Sequence, residues 1–180
     1  MTLWLRLLWL LLTAPFRPRL LMDAASVLHT RVWPVDVDLN IHMTNARYSA
    51  VMDLGRIDLL IRTGLLRILL RHRLRAVVGA SMLRWRKGLA PLQPYRLETR
   101  LVAWDDKWFW MEQRFITATG VLACIGMVKT CFTDRSGVVP PDRVAAFLGI
   151  PPDRRPPLPD WATAWDQVET GALDRQSGKA

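Results

Sequence analysis

From residue 94 to residue 117 the chain alternates apolar and polar side chains, with one short break. In residues 94–104, Tyr95, Leu97, Thr99, Leu101 and Ala103 share one face, while Arg96, Glu98 and Arg100 share the other. Successive side chains of a strand point to opposite faces, so this pattern predicts a half-buried β-strand. Asp105-Asp106 is a two-residue turn candidate. Residues 107–117 alternate again, Thr119-Gly120 marks a second turn, and residues 121–133 form a long, mostly apolar run. Consecutive long strands joined by tight turns predict an antiparallel meander.

The preceding residues follow a different period. Residues 28–35 are β-compatible up to Pro34, and residues 36–45 form a loop. A long helix is expected over 46–62, with Tyr48, Val51, Met52, Leu59 and Leu60 on its apolar stripe and Asp53, Arg56 and Arg62 interrupting it. Gly64 breaks it, and residues 65–73 can continue as a second short helix. Another strand-like run covers 76–90, ending at Gly88, and a short helix is expected at 142–148 after Pro140-Pro141. One early strand, a long helix and a run of antiparallel strands make an α+β domain. A helix of that length must be covered, and a twisted antiparallel sheet can curl around it, the arrangement called a hotdog. The expected division is an apolar N-terminal segment over 1–22, this body over 23–150, and a proline-rich C-terminal arm over 151–180. Prolines 151, 152, 156, 157 and 159 suggest an extended arm anchored by Trp161 and Trp165, with loose residues from about Gly171.

A chain of 180 residues with 51% hydrophobic residues can bury a substantial core as one domain. The formal net charge of +9 favours anionic partners or reflects a solvated arginine-rich surface. No nucleic-acid partner is expected, because the aromatics sit in strands without a recognition motif. Cys124 and Cys131 lie an odd number of residues apart in one strand-like run, hence on opposite faces, and read as small core residues. No Cys/His set has zinc-ligand spacing and no glycine-rich phosphate loop is present, so neither metal nor cofactor is expected. The first 13 residues are apolar apart from Arg6 and the two threonines. They are shorter than the roughly 20 residues that span a bilayer, and no charged n-region precedes the apolar part. They suit a helix lying in a membrane interface, with Leu3, Trp4, Leu7, Leu8 and Leu11 on one face and Arg6, Arg17 and Arg19 nearby. The other readings are a first helix packed on the domain and an exposed patch that dimerises.

Residues 38–48 read Asp-Leu-Asn-Ile-His-Met-Thr-Asn-Ala-Arg-Tyr. They set a carboxylate, an imidazole and a carboxamide just ahead of the long helix. Acids and amides there are good caps. The same geometry places a carboxylate beside free backbone N–H groups and the positive end of a helix dipole, which suits attack on a carbonyl and stabilisation of an oxyanion. Asp38 could also be an Asx-type loop former beside Asn40, and His42 a hydrogen-bonding strut. Asn45 reads as a cap or brace, and Asp53 either pairs with Arg56 or faces the cleft.

Asp38-x-x-x-His42-x-x-Asn45-Ala46-x-Tyr48 resembles the D-x-x-G-H-x-N-N-A-x-Y signature of hotdog-fold acyl-CoA thioesterases of the 4-hydroxybenzoyl-CoA thioesterase type. It is more similar to the thioesterase superfamily member six-like branch, which also carries a turn like Trp104-Asp105-Asp106. The resemblance implies hydrolysis of acyl-CoA or another acyl thioester without a cofactor, with Asp38 as nucleophile or general base. It implies substrate-side roles for His42, Asn45, Tyr48 and Asp53, and a homodimer or tetramer with its site between subunits. A cytoplasmic location is expected, with or without peripheral contact at a membrane. The alternative is a non-catalytic protein that binds acyl chains or lipid at a membrane surface. Arg67, Arg71, His72, Arg73 and Arg75 could meet the phosphates of coenzyme A or form a solvated face. Ile41 stands where the signature has glycine, which readily takes a positive φ, and Thr44 replaces its first asparagine. Both departures predict a loop of different shape.

Overall fold

The computed structural model describes residues 2–151 and 154–176. The strands are β1 (Ser26–Arg31), β2 (Arg75–Trp85), β3 (Pro94–Trp104), β4 (Phe109–Thr117), β5 (Leu122–Asp134) and β6 (Gly137–Val139). All pairings are antiparallel, in the order β1-β3-β4-β5-β2, with β6 paired to β5. The meander read from alternation is β3-β4-β5, and β3 keeps the bounds expected for it. β1 ends earlier than expected, because Pro34 starts a 3-10 turn over Pro34–Asp36.

The sheet curls around α2 (Asn45–Arg62), which is the hotdog arrangement. The helix buries Tyr48, Val51, Met52, Leu54, Gly55, Asp58 and Leu59. Its stripe meets Leu97, Phe115, Cys124 and Val128 in the main core. Gly55 is the point of closest approach. A Cβ there would collide with Thr99 Oγ1 and come within 2.8 Å of Leu97 and 2.9 Å of the Gln113 amide nitrogen. That amide is fully buried and ties helix to sheet, donating to the Met52 carbonyl and to Thr99 Oγ1, both at 2.9 Å. Gly64 then takes φ +79° between α2 and α3 (Leu65–Arg71). Cys124 and Cys131 are buried and unbridged. At the far edge of the sheet, β2 leaves Val77, Val78, Met82 and Trp85 exposed.

Two terminal segments differ from their sequence reading. The chain runs past α4 (Pro141–Phe147) into the proline-rich arm. The arm is not extended throughout, because α5 occupies Asp160–Gln176 and Gly171 lies inside it. Prolines end at 159, where a helix can start, and Trp161 and Trp165 are one helical turn apart. Both rings stand edge-on to Trp110, at 6.5 and 5.6 Å, as the anchoring role expected of them requires. Lys129 Nζ reaches Asp166 at 2.7 Å and Glu169 at 2.8 Å. Pro152 of the proline run lies outside the described residues, as do residues 177–180.

At the other end, α1 (Leu3–Thr13) packs on α2. Leu10 and Ala14 bury against Leu54, with Leu3, Leu7, Ile57 and Ile61 around them. The outward side carries Trp4, Leu5, Leu8, Trp9 and Leu12, followed by Phe16. The face predicted from spacing, with Leu3, Trp4, Leu7, Leu8 and Leu11 together, therefore divides between body and solvent. Arg6 and Arg17 turn to buried carboxylates. Arg6 is buried and ion-paired with Asp36, which has no exposed surface. Asp36 also meets Arg47 Nε at 3.0 Å and accepts from the Trp33 amide at 2.9 Å. Arg17 pairs at 2.8 Å with Asp58, itself fully buried and bonded by Ser26. Among the described residues no helix is long and apolar enough to cross a membrane.

Removing one partner of a buried ion pair typically costs about 3–5 kcal/mol, an upper bound for Arg6 because Arg47 stays beside Asp36. Arg6→Ala should lower stability by that order in urea unfolding. A change below about 1 kcal/mol would show that α1 is not held through Asp36.

Candidate active site

The site grows out of the loop that ends the 3-10 turn. Val37 and Met43 form an isolated antiparallel bridge. Between them the Asp38 amide donates to the His42 carbonyl, and the Ile41 amide to the Asp38 carbonyl, both at 3.0 Å. The loop is pinned from behind as well. The Met43 amide donates to the Leu89 carbonyl at 2.9 Å, and the Thr44 amide to the Asp36 carbonyl at 2.8 Å.

Closing this turn requires a left-handed residue, and Ile41 supplies it at φ +58°. Isoleucine thus takes the left-handed conformation that glycine takes readily. The chain accepts the left-handed conformation, typically about 1–2 kcal/mol for a residue with a Cβ. The hydrogen bonds on either side enforce it, and the Ile41 side chain points to solvent at 67% exposure. Thr44 occupies the N-cap position of α2, and no side chain caps the helix. Asn45 is the first helical residue rather than the cap. The N–H groups of the first turn thus carry the positive end of the helix dipole beside the loop.

Asp38, His42, Asn45 and Tyr48 line one open cleft of about 420 Å³, together with Asn40, Met43, Trp85, Arg86, Lys87 and Gly88. Asp38 is exposed, and its Oδ1 accepts the Asn40 amide at 2.9 Å. This is the Asx turn that the sequence also allowed, and it orients the carboxylate. Its Oδ2 takes no hydrogen bond among the described residues. The His42 ring lies against Gly88, where any Cβ would collide with it. Tyr48 is buried, edge-on to Phe115 at 4.9 Å and to Trp85 at 6.4 Å. Burial, with the nearby Cys124, pushes its hydroxyl up to about 12, against a hydrogen bond with the Leu89 backbone. It stays protonated at neutral pH and can act as a donor.

Asp53 is not part of this cleft. It forms an ion pair with Arg56 and lines a second, apolar cleft of about 370 Å³ between α1, α2 and the sheet. Leu3, Leu7, Ile57, Leu60, Val78 and Phe132 are among its walls. Arg56 donates to Gln113 at 2.8 Å, and burial draws its guanidinium below the usual range against the pull of Asp53. Arg73 and Arg75, from the basic cluster, line a different recess with Asp134 and Arg135. Trp85, Arg86, Lys87 and Gly88 were not expected at the site. A basic-aromatic run at the end of a strand signals little by itself, and only the β2–β5 pairing brings it to the loop. Among the described residues no group of three or more His, Cys, Asp or Glu side chains could hold a metal ion.

A carboxylate on an open loop, uncapped helix amides and a protonated tyrosine under one rim are a set of groups suited to acyl transfer. The chain belongs to the thioesterase-like superfamily, whose family model matches residues 32–165. It is 40% identical over 149 residues to Protein THEM6 of Drosophila melanogaster, covering 80% of this chain and 74% of that one. It is 35% identical over 147 residues to Protein THEM6 of Danio rerio, with coverage of 80% and 70%. In three dimensions it is similar to the gentisyl-coenzyme A thioesterase BH1999, with a TM-score of 0.60 at 20% identity. That likeness covers 67% of this chain and 99% of the other.

Proposed function

We propose that the protein hydrolyses acyl thioesters, most naturally acyl-CoA, to a free acid and a thiol. The observation that carries this reading is the convergence of Asp38, His42, Asn45 and Tyr48 on one cleft at the start of α2. A thioester carbonyl is electrophilic and its thiolate leaves readily. The reaction therefore needs a base for water, or a carboxylate nucleophile, together with donors for the oxyanion. Asp38 supplies the first, and the amides at the start of α2 supply the second. Tyr48 holds the floor of the cleft and His42 its rim. Membership of the superfamily and the activity stated for BH1999 support the same chemistry. The apolar cleft beside Asp53 is the place for an acyl chain, since ligand sites of this size are mostly apolar with a few polar groups. Losing a positioned acid-base group typically removes about 100- to 10,000-fold in rate. Asp38→Asn should therefore keep the wild-type melting temperature and lose at least about 99% of acyl-CoA turnover. Wild-type turnover in that variant would overturn the role of Asp38.

A second reading concerns location, and the outward side of α1 favours it. Trp9 is 65% exposed and Phe16 90%, with Leu5, Leu8 and Leu12 between them. We propose that this side rests on an anionic lipid surface at the cytoplasmic side of a membrane. Burying each large apolar side chain contributes roughly 1.5–3 kcal/mol. Deleting the segment would confuse the test, because the buried Asp36 and Asp58 would each lose an ion-pair partner. The point variant Trp9→Glu/Phe16→Glu avoids this. The wild type should float with phosphatidylserine-containing liposomes and the variant should not. Equal flotation, or none by either protein, would overturn the membrane reading. A fall in light-scattering mass of the variant would then mark this side as a subunit contact.

A further inference from the structure

Among the described residues, Arg86 and Lys87 are the only Arg or Lys side chains lining the Asp38 cleft, and neither has an acidic partner. Both are exposed, and their backbone amides donate to the Ala123 carbonyl at 2.8 and 3.0 Å. Those bonds fix where the two side chains leave the end of β2. Elsewhere in the sheet Arg96 pairs with Glu98 at 2.7 Å, and Arg100 and Arg114 with Glu112 at 2.9 and 2.8 Å, whereas Arg31, Arg75 and Arg84 form no ion pair among the described residues. At this cleft the one carboxylate is Asp38, held in its own loop. A cleft lined both by two cations without an acidic partner and by a carboxylate fits a ligand that meets each of them. One end of that ligand must be polyanionic and the other an electrophile. Trp85, half exposed and edge-on to Tyr48, adds an apolar wall to the same cleft.

We propose that Arg86 and Lys87 bind phosphate groups of coenzyme A, with the carrier arm passing Trp85 and the thioester presented to Asp38. This rests on reading the Asp38 cleft as a thioester site. Arginine matches phosphate oxygens bidentately, and lysine adds a mobile point charge. The basic residues singled out from sequence do not serve this cleft, because Arg73 and Arg75 line a separate recess shared with Asp134. Discrimination between thioesters is therefore assigned to the end of β2 rather than to its beginning. Exposed charges are screened by salt over about 8 Å at physiological ionic strength, so the contact should weaken as salt rises.

Two measurements on the full chain test this. In calorimetric titration with coenzyme A itself, Arg86→Ala/Lys87→Ala should bind at least about tenfold more weakly than wild type. Arg73→Ala/Arg75→Ala should keep the wild-type affinity. In turnover, the ratio of kcat/KM for an acyl-CoA to that for the same acyl group on N-acetylcysteamine, which lacks phosphate, should fall about tenfold in the Arg86/Lys87 variant. A coenzyme A affinity equal to wild type in that variant, or an unchanged ratio, would overturn the proposal. If the wild type binds coenzyme A through these residues but turns over no thioester, the hydrolase reading fails and this one stands. If it turns over acyl-CoA with the same ratio in both proteins, the reverse holds.

Discussion

The buried carboxylate of Asp36 is the contact on which the rest of the structure depends. It lies without exposed surface between Arg6 of α1 and Arg47 of α2, and it caps the turn at Trp33. A charge removed from water is tolerated only where it is paired and hydrogen-bonded. The site can therefore form only when three parts of the chain meet: the first helix, the loop and the start of the long helix. The Asp36 carbonyl also accepts the Thr44 amide, closing the loop that carries Asp38. Position of the candidate catalytic carboxylate and docking of α1 are thus one event. Asp58 repeats the device farther along α2 with Arg17, Arg62 and Ser26.

The sheet supplies the second constraint. α2 can lie against β3 and β4 only because Gly55 presents no Cβ to Thr99, Leu97 and Gln113. That close approach brings Tyr48 onto Phe115. Gly88 plays the same part for His42 at the cleft rim. Both glycines act through space they leave empty, whereas Gly64 acts through its left-handed backbone.

The meander was legible because period-two alternation is a local property, and β3 runs over the residues that alternate. The loop was legible because its residues combine acid, imidazole and amide ahead of a helical stripe. Other features depend on contacts distant in sequence. α1 is apolar at every position except Arg6 and Thr13, so spacing could not select its inner face. The distant Asp36, by capturing Arg6, selects it. Local preference argued against Ile41 in a left-handed turn, yet hydrogen bonds across the loop outweigh that preference. Asp53 shares its helix with Asn45 and Tyr48 but is turned into another cleft. Arg86 and Lys87 reach the site only through strand pairing.

Asp36 holds the loop, the loop presents Asp38, and the start of α2 beside it has no side-chain cap. The claim that follows is that this cleft cleaves thioesters. It is tested most directly by incubating the purified full-length protein with acyl-CoAs of increasing chain length and following release of free thiol. Saturable release well above the rate without protein, for at least one chain length, is the predicted result. No release from any of them by protein that is folded and binds the same acyl-CoAs would contradict the account and leave an acyl-binding protein without turnover.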